Sequence, residues 1–591
     1  MLRRTLRVLA SPGARPALAV SAPTVSPSLA SKFNCSPLTE TDIVDGAADS
    51  IKPAVSDLLS SGASESTLYG LDNSDAFDEE KAYGLEPLKD AANGSHAAVE
   101  ERRVVQIPCG ILPPRGRLDR WLDTVVHWSG SLGFFVFVTA GLVAWAALGI
   151  AGFGQNTDWN VLISDIQAIG TYILDSFLVR QQLAAHDDVL VLVGVLRSRS
   201  ETVRALLRQI ATQQTQAAPE GNGAGAQVDE VEIDVGLPDD TWIGKAAKRL
   251  SDVAGHLVTI LIFWVGVGVW LAFGPSQGWS PQWQLYMNSS SSALMLFVFA
   301  FLCCVRERHG DYVGVCLDQI QRTDEKLERV LRTLTGDERP HPTIVIAAPQ
   351  VTRMQRVINY YADFIGSLAG VGFLVVVLVG WAAIGPAFHF DDTWWLLSGT
   401  YAGLIGMNDG FVMRNTAAQF QLREGSELAR LAEADALCEE VLPVSNVGRS
   451  PSTGTAECGT RARAWQRLRL FTLRASLGVG RLCSHEYAVL AGVLVIVGLV
   501  ASATALRWSL TGQLLCNVPP SIIESWMMLM VIQGHNENDA RTRADLAALL
   551  ERRAVSLAHA QHLVKYGVTS EVRFVPVLRG ATPASAATSL V

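Results

Sequence analysis

SLGFFVFVTAGLVAWAALGIAG, Ser131 to Gly152, has no Asp, Glu, Lys or Arg and is long enough to cross a bilayer core, which takes roughly 20 consecutive apolar residues in helical form. Three further stretches of that quality follow, Val253 to Gly274, Phe364 to Gly385 and Tyr487 to Leu506. Each is succeeded, after a short connection, by a second apolar segment spotted with polar residues: Val161 to Val179, Leu285 to Val305, Trp394 to Met413 and Val518 to Ile532. The expected fold class is therefore all-α: a polytopic membrane protein of about eight transmembrane helices in four pairs.

Outward from these segments, the loops set the expected topology through their Lys and Arg content. The short connections FGQNTDWN, PSQGWSPQWQ and PAFHFDDTWW have no basic residue, and the fourth has only Arg507. The long ones are rich in them, with Arg197, Arg199, Arg204 and Arg208, then Arg306, Arg308, Arg322 and Arg329, then Arg461 to Arg481. Long loops and both termini are thus expected in the cytosol. Trp159, Trp279, Trp283, Trp394, Trp395 and Trp508 at the short loops suit an outer interfacial belt.

The pairs read as copies of one unit: amphipathic approach, apolar helix, short loop with Trp, polar-spotted helix, charged helical extension. The copies span 116–211, 241–336, 353–442 and 462–565, with a tail at 566–591. The best internal match sets LDSFLVRQQ (Leu174 to Gln182) against NDGFVMRNT (Asn408 to Thr416), aligning Asp175 with Asp409 and Arg180 with Arg414. Gln213 to Val235 and Ser445 to Thr460 are read as flexible linkers. The extensions carry apolar residues at helical spacing, such as Ile320, Leu327, Val330, Leu331 and Leu334, and either pack together or stay solvated.

Residues 1–115 are expected to be a disordered cytosolic region. Their first stretch, Met1 to Phe33, is basic and rich in Ser, Ala and Pro, a composition shared with mitochondrial transit peptides. Net charge is −9, with much of the acid in this region and the long loops, and supports no nucleic-acid binding. The nine cysteines form no CxxC pair, so neither a disulfide framework nor a zinc module is indicated.

An ionisable residue inside a bilayer costs about 2.5 to 3.5 kcal/mol and is by default a functional candidate. Ser164, Gln167, Ala168, Thr171 and Asp175 fall on one helical face, as do Ser398, Tyr401, Ala402, Ile405 and Asp409 in the third copy and Asn517, Ser521, Glu524 and Met528 in the fourth. The second copy supplies Ser290, Leu294, Phe297 and Phe301, without a carboxylate. If the four faces surround one axis, Asp175, Asp409 and Glu524 converge on it as a divalent-cation site of oxygen ligands. The alternative pairs Asp175 with Arg180 and Asp409 with Arg414. Asp165, Asp391 and Asp392, beside His389, are outer-mouth candidates able to concentrate cations, or else plain solvated loop acids. His127, His256, His309, His485 and His535 stand singly, while Cys303, Cys304 and Met527, Met528 and Met530 read as packing. No phosphate loop, HExxH, histidine box or GxSxG elbow is present, so no enzyme and no cofactor are expected.

The unit resembles that of the low-affinity iron permease family, a helix pair whose second span runs into a motif like FLxVFLIQNxxNRD. The stretches that carry the resemblance are SFLVRQQLAAHDD (Ser176 to Asp188), GFVMRNTAAQF (Gly410 to Phe420) and LMVIQGHNENDART (Leu529 to Thr542), over roughly 115–565. Arg180, Arg306 and Arg414 replace the glutamine that only Gln533 keeps. The resemblance implies a fungal-type plasma-membrane transporter admitting Fe(II), and also Zn, Cu or Mn, down the electrochemical gradient. Its partners are then divalent metal ions and the lipid bilayer, with a homo-oligomer left open. An organelle membrane, a channel of other selectivity and a non-transporting scaffold are the rival readings.

Overall fold

A computed structural model of the chain describes residues 15, 17–23, 104–107, 117–155, 157–217, 228–234, 242–389, 392–441, 478–567 and 573–579. One order of elements occurs four times. It begins with α1 (Arg117–Ser129), α2 (Leu132–Ile150) and α3 (Thr157–Ala217), and continues with α4 (Trp242–Ala254), α5 (Leu257–Phe273) and α6 (Pro281–Thr335). Next come α7 (Arg353–Ile365), α8 (Leu368–Ile384) and α9 (Asp392–Val441), then α10 (478–483), α11 (Glu486–Ala505) and α12 (Leu510–Tyr566).

The break between each approach helix and the apolar helix after it falls at Gly130, Gly255, Gly366 and Ser484. Ser131, His256, Ser367 and His485 then cap the apolar helices, each side chain accepting a backbone N–H of the first turn. The breaks double as docking points. A methyl built on Gly255 would sit 3.0 Å from the Gln533 backbone nitrogen, and one on Gly366 3.3 Å from that of Arg180, so helices of different units touch there through backbone.

Five helices are long and apolar enough to cross a membrane, α2, α6, α8, α11 and α12, and α4 with α5, bent by 54°, makes a sixth candidate. The polar-striped α3 and α9 fall below that mark. The short apolar helices bury almost nothing, only 6% of the α2 window, whereas 78% of the α12 window is buried. Apolar surface this extensive is at home in lipid, not water.

The four long helices form a ring, α3 against α6 and α9, and α12 against α6 and α9, with no comparable packing across either diagonal. Their first halves pack inside the shell of apolar helices; their second halves continue as a bundle. Val193, Leu196, Ile320, Leu431, Leu546 and Leu550 fill one layer of it and Leu206, Leu327, Leu331 and Leu563 another. Between these layers lies a buried ionic cluster. Arg553 Nη2 is 2.7 Å from Asp435 Oδ1 and its Nε 3.2 Å from Asp324 Oδ1, while Arg199 Nε is 3.3 Å from Glu328 Oε2, whose other oxygen, Oε1, meets Arg332 and His341. Burial pushes Asp324 up to about 6 against the pull of Arg553 and Arg199. Burial opposes the Arg553 charge, yet Asp324 and Asp435 hold its pKa above the ordinary value. The extensions thus pack on one another instead of standing solvated.

The fold is not all-helical. β1 (Ala17–Val20) lies between β2 (Val104–Ile107), parallel to it, and β4 (Ile344–Ile346), antiparallel; β3 (Val228–Asp234) pairs in parallel with β5 (Arg573–Arg579). β1 and β2 fall within the region read as disordered, and β3 within the linker read as flexible. Both are drawn into order by partners remote in sequence. Val20 is fully buried on α3, where a methyl on Gly194 would sit 3.0 Å from its Cβ, so glycine permits the close approach. The second linker, 445–460, and most of 1–115 lie outside the described residues.

Candidate functional site

The ring of long helices encloses a cavity of about 30 Å³, room for a water-sized occupant. α3 lines it with Thr171, Tyr172 and Asp175, α6 with Asn288, Ser292 and Met295, α9 with Gly399, Ala402, Gly403 and Gly406, and α12 with Ser521 and Glu524. Of the sequence stripes, the first contributes Thr171 and Asp175 to this lining, the third only Ala402, beside glycines outside the stripe, and the fourth Ser521 and Glu524, while the side chains of Ser164, Gln167 and Ala168 lie outside the described residues. The stripe of the second copy is corrected: Ser290 and Leu294 are exposed, and Asn288, Ser292 and Met295 take the inward positions. The run of four serines, Ser289 to Ser292, offers polar residues on every face, so spacing alone does not select the register.

Asp175 and Glu524 line this cavity at its end towards the extension bundle and Asp409 stands beside them, all three buried. The Asp175 carboxyl faces that of Asp409, and Glu524 is near enough to act on both electrostatically. Glu524 reaches the axis across Gly406, where any side chain would collide with its carboxyl. Tyr361 on α7 donates to Asp409 Oδ1 at 2.5 Å. Both Asp175 oxygens and Asp409 Oδ2 have no hydrogen-bond partner of good geometry. Among the described residues, no three His, Cys, Asp or Glu side chains are already arranged to hold one metal ion.

The alternative ion pairs within each helix do not form. Arg180 turns away from the axis to Asp123, at 2.7 Å, and to the Gly366 carbonyl at 3.2 Å. Arg414 reaches the Gly480 carbonyl at 3.3 Å, in space that Gly534 leaves open, and Arg306 pairs with Asp539 at 2.9 Å. Five residues separate aspartate and arginine in the helix, which sets the two on different faces. The arginines join neighbouring units and leave the axial carboxylates unanswered.

Asp165 is not part of a solvated mouth: it is buried, with Ser398 in reach and Oδ2 without a partner. Asp391 lies outside the described residues, and Asp392 begins α9, its side chain likewise outside them. His389 closes the turn in a left-handed conformation at φ 52°. His127 pairs with Glu307 and His309 with Asp539, while His256 and His485 cap helices. Cys303 and Cys304 are buried, as are Met527, Met528 and Met530, in the apolar core around the ring. Sequence reasoning passed over the contribution of Tyr361: an approach-helix tyrosine carries no signal until its helix is placed against α9.

The low affinity iron permease family model matches residues 243–334 and 472–569. A low-affinity iron/zinc ion transport protein of Schizosaccharomyces pombe is 33% identical over 447 residues, 74% of this chain and 72% of the relative. A low-affinity Fe(2+) transport protein of Saccharomyces cerevisiae is 31% identical over 478 residues, 76% of this chain and 84% of the relative. No solved structure matches.

Proposed function

Because the chain belongs to the low affinity iron permease family, we propose that it is a low-affinity uptake transporter for ferrous iron and zinc, with the ion moving between its four long helices. The observation that carries the route is a column of buried polar atoms without partners along that axis. It runs from Gln513 Oε1 and the Asn517 amide, through Asp165 Oδ2 and Thr171 Oγ1, to both Asp175 oxygens and Asp409 Oδ2. A buried polar group left unpaired costs about 1 to 3 kcal/mol, and native structures hold few of them. A hydrated or partly dehydrated cation passing down the axis offers the oxygens among them a partner.

Asp175, Asp409 and Glu524 are its inner ligands, a set of oxygens that suits Fe(II), Zn(II) and other divalent ions with little discrimination. Ligation is weak because the three do not form a finished cage, and weak ligation lets an ion leave as well as arrive. An inside-negative membrane potential supplies the drive, about 4.6 kcal/mol for a divalent ion per 100 mV. The shell and ring then amount to eight spans from four repeated pairs, α3 and α9 crossing as the polar-lined members, in the plasma membrane with both termini in the cytosol. Such a protein needs no enzymatic chemistry.

Uptake of radiolabelled Fe(II) and Zn(II) in cells lacking their own metal transporters tests the route. The double variant Asp175→Asn with Asp409→Asn loses most uptake at matched surface expression; undiminished uptake removes these residues as ligands. Tags after Gly278 and His389 should be reachable from outside the cell and tags at either terminus should not. The reverse pattern inverts the topology.

A further inference from the structure

We propose a second, outer cation station built by Asp165, Asn517 and the main-chain carbonyl of Cys516, separate from the inner carboxylates. It rests on the reading of the axis as an ion path. Asp165 and Asn517 project into one hollow: a methyl on Gly399 would sit 3.6 Å from Asp165 Oδ1 and 3.4 Å from Asn517 Nδ2. Both residues are more than nine-tenths buried. Neither Asp165 Oδ2 nor either polar atom of the Asn517 amide has a partner. The amide is therefore free to turn its oxygen to a cation.

The backbone supplies the third ligand. α12 contains Pro519 and Pro520 in its interior. A helical carbonyl accepts from the N–H four residues on, and proline has none, so Pro520 frees the Cys516 carbonyl. That oxygen faces the ring at Gly403, where a methyl would sit 3.6 Å away. Two prolines in the middle of a helix are costly, and a helix that tolerates them beside a cavity places unbonded carbonyls where a cation is to be held.

The chemistry is one carboxylate, one amide and one main-chain carbonyl, all hard oxygens, with no thiolate or imidazole. This set takes a divalent ion that keeps part of its water, and it carries less negative charge than the inner station. Asp165 lies ten residues before Asp175 on α3, about 15 Å along the helix axis. The two stations therefore stand about three helical turns apart along the axis of the ring, and an ion waits at the outer before passing to the inner.

The test uses the full chain. In purified protein, Mn(II) counted by electron paramagnetic resonance should bind at two sites. Asp165→Asn should remove one, and Asp175→Asn with Asp409→Asn the other. In uptake, Asp165→Asn should raise the half-saturating Fe(II) concentration about tenfold, as one lost charged ligand does, with the maximal rate kept within about twofold. Pro520→Ala, which returns a donor to the Cys516 carbonyl and favours the helix, should raise it about threefold. Normal half-saturation and normal Mn(II) stoichiometry in Asp165→Asn overturn the station, and so does loss of both ions in that variant, which merges the two sites. If Asp165→Asn and the inner double variant both leave uptake untouched, the axis as a path fails; a defect confined to the inner variant rejects the outer station alone.

Discussion

The same four helices carry buried acids at two levels and treat them in opposite ways. In the extension bundle, Asp324, Asp435 and Glu328 are met by Arg553, Arg199 and Arg332 at 2.7 to 3.3 Å. In the membrane half, Asp175, Asp409 and Glu524 are equally buried, and Arg180 and Arg414 turn away from them, Arg180 to Asp123 and the Gly366 carbonyl and Arg414 to the Gly480 carbonyl. A buried charge must be answered by something, because desolvating it unpaired costs several kcal/mol. Where the protein supplies the answer the cluster is architecture, and where it withholds one stands the place proposed above for a passing ion.

The largest effect should come from removing the answer where one exists. Arg553→Met takes from the buried Asp324 and Asp435 the cation nearest both, leaving only Arg199 and Arg552 at longer range, and should cost about 3 kcal/mol, seen as loss of folded protein in detergent thermal melts. An equal melt would mean that the bundle acids are solvated after all. Removing acid from the axis should act on transport and not on folding. Asp175→Asn alone should lower Fe(II) uptake about tenfold, some 1.4 kcal/mol, with undiminished surface expression. A folding defect there would place Asp175 on the structural side of the comparison.

A smaller and signed effect concerns pH. Asp324, pushed up to about 6 by burial, lies above its ordinary 3.8. The folded chain therefore takes up this proton before the unfolded chain does, and the fold gains stability as pH falls through 6 towards 4. Compared with Asp324→Asn, the unmodified protein should gain on the order of 2 kcal/mol between pH 7 and pH 4, measured by chemical unfolding. A gap that moves the other way reverses the assignment. Smallest of all, Cys303→Ser with Cys304→Ser should leave uptake unchanged and cost about 1 kcal/mol in stability for burying hydroxyls in place of thiols. Reduced uptake would bring these thiols into the path.

Much of this arrangement was readable in advance because hydropathy and helical spacing are local signals. The apolar helices, their polar-striped partners and the convergence of Asp175, Asp409 and Glu524 follow from them. What escaped was settled by partners far along the chain. ALAV at residues 17–20 is too short to announce a strand, and its pairing depends on Ile344 to Ile346. The bundle's ion pairs join Arg199 to Glu328 and Arg553 to Asp324, residues that look like solvated charges in their own helices. The second copy's register slipped on a run of identical serines. Asp165 read as an outer-mouth acid because it falls in the first turns of its span, and only the packing of α9 and α12 beside it encloses it.

The position of β1 has a consequence for synthesis. Held between β2 and β4, with Leu18 opposite Ile346 and Val20 opposite Ile344, the start of the chain cannot complete its sheet until two helix pairs have been made and released. β3 waits longer still, for β5 near the other end. Each sheet acts as a latch that closes after the helices behind it have inserted, so a chain stalled partway carries an open edge.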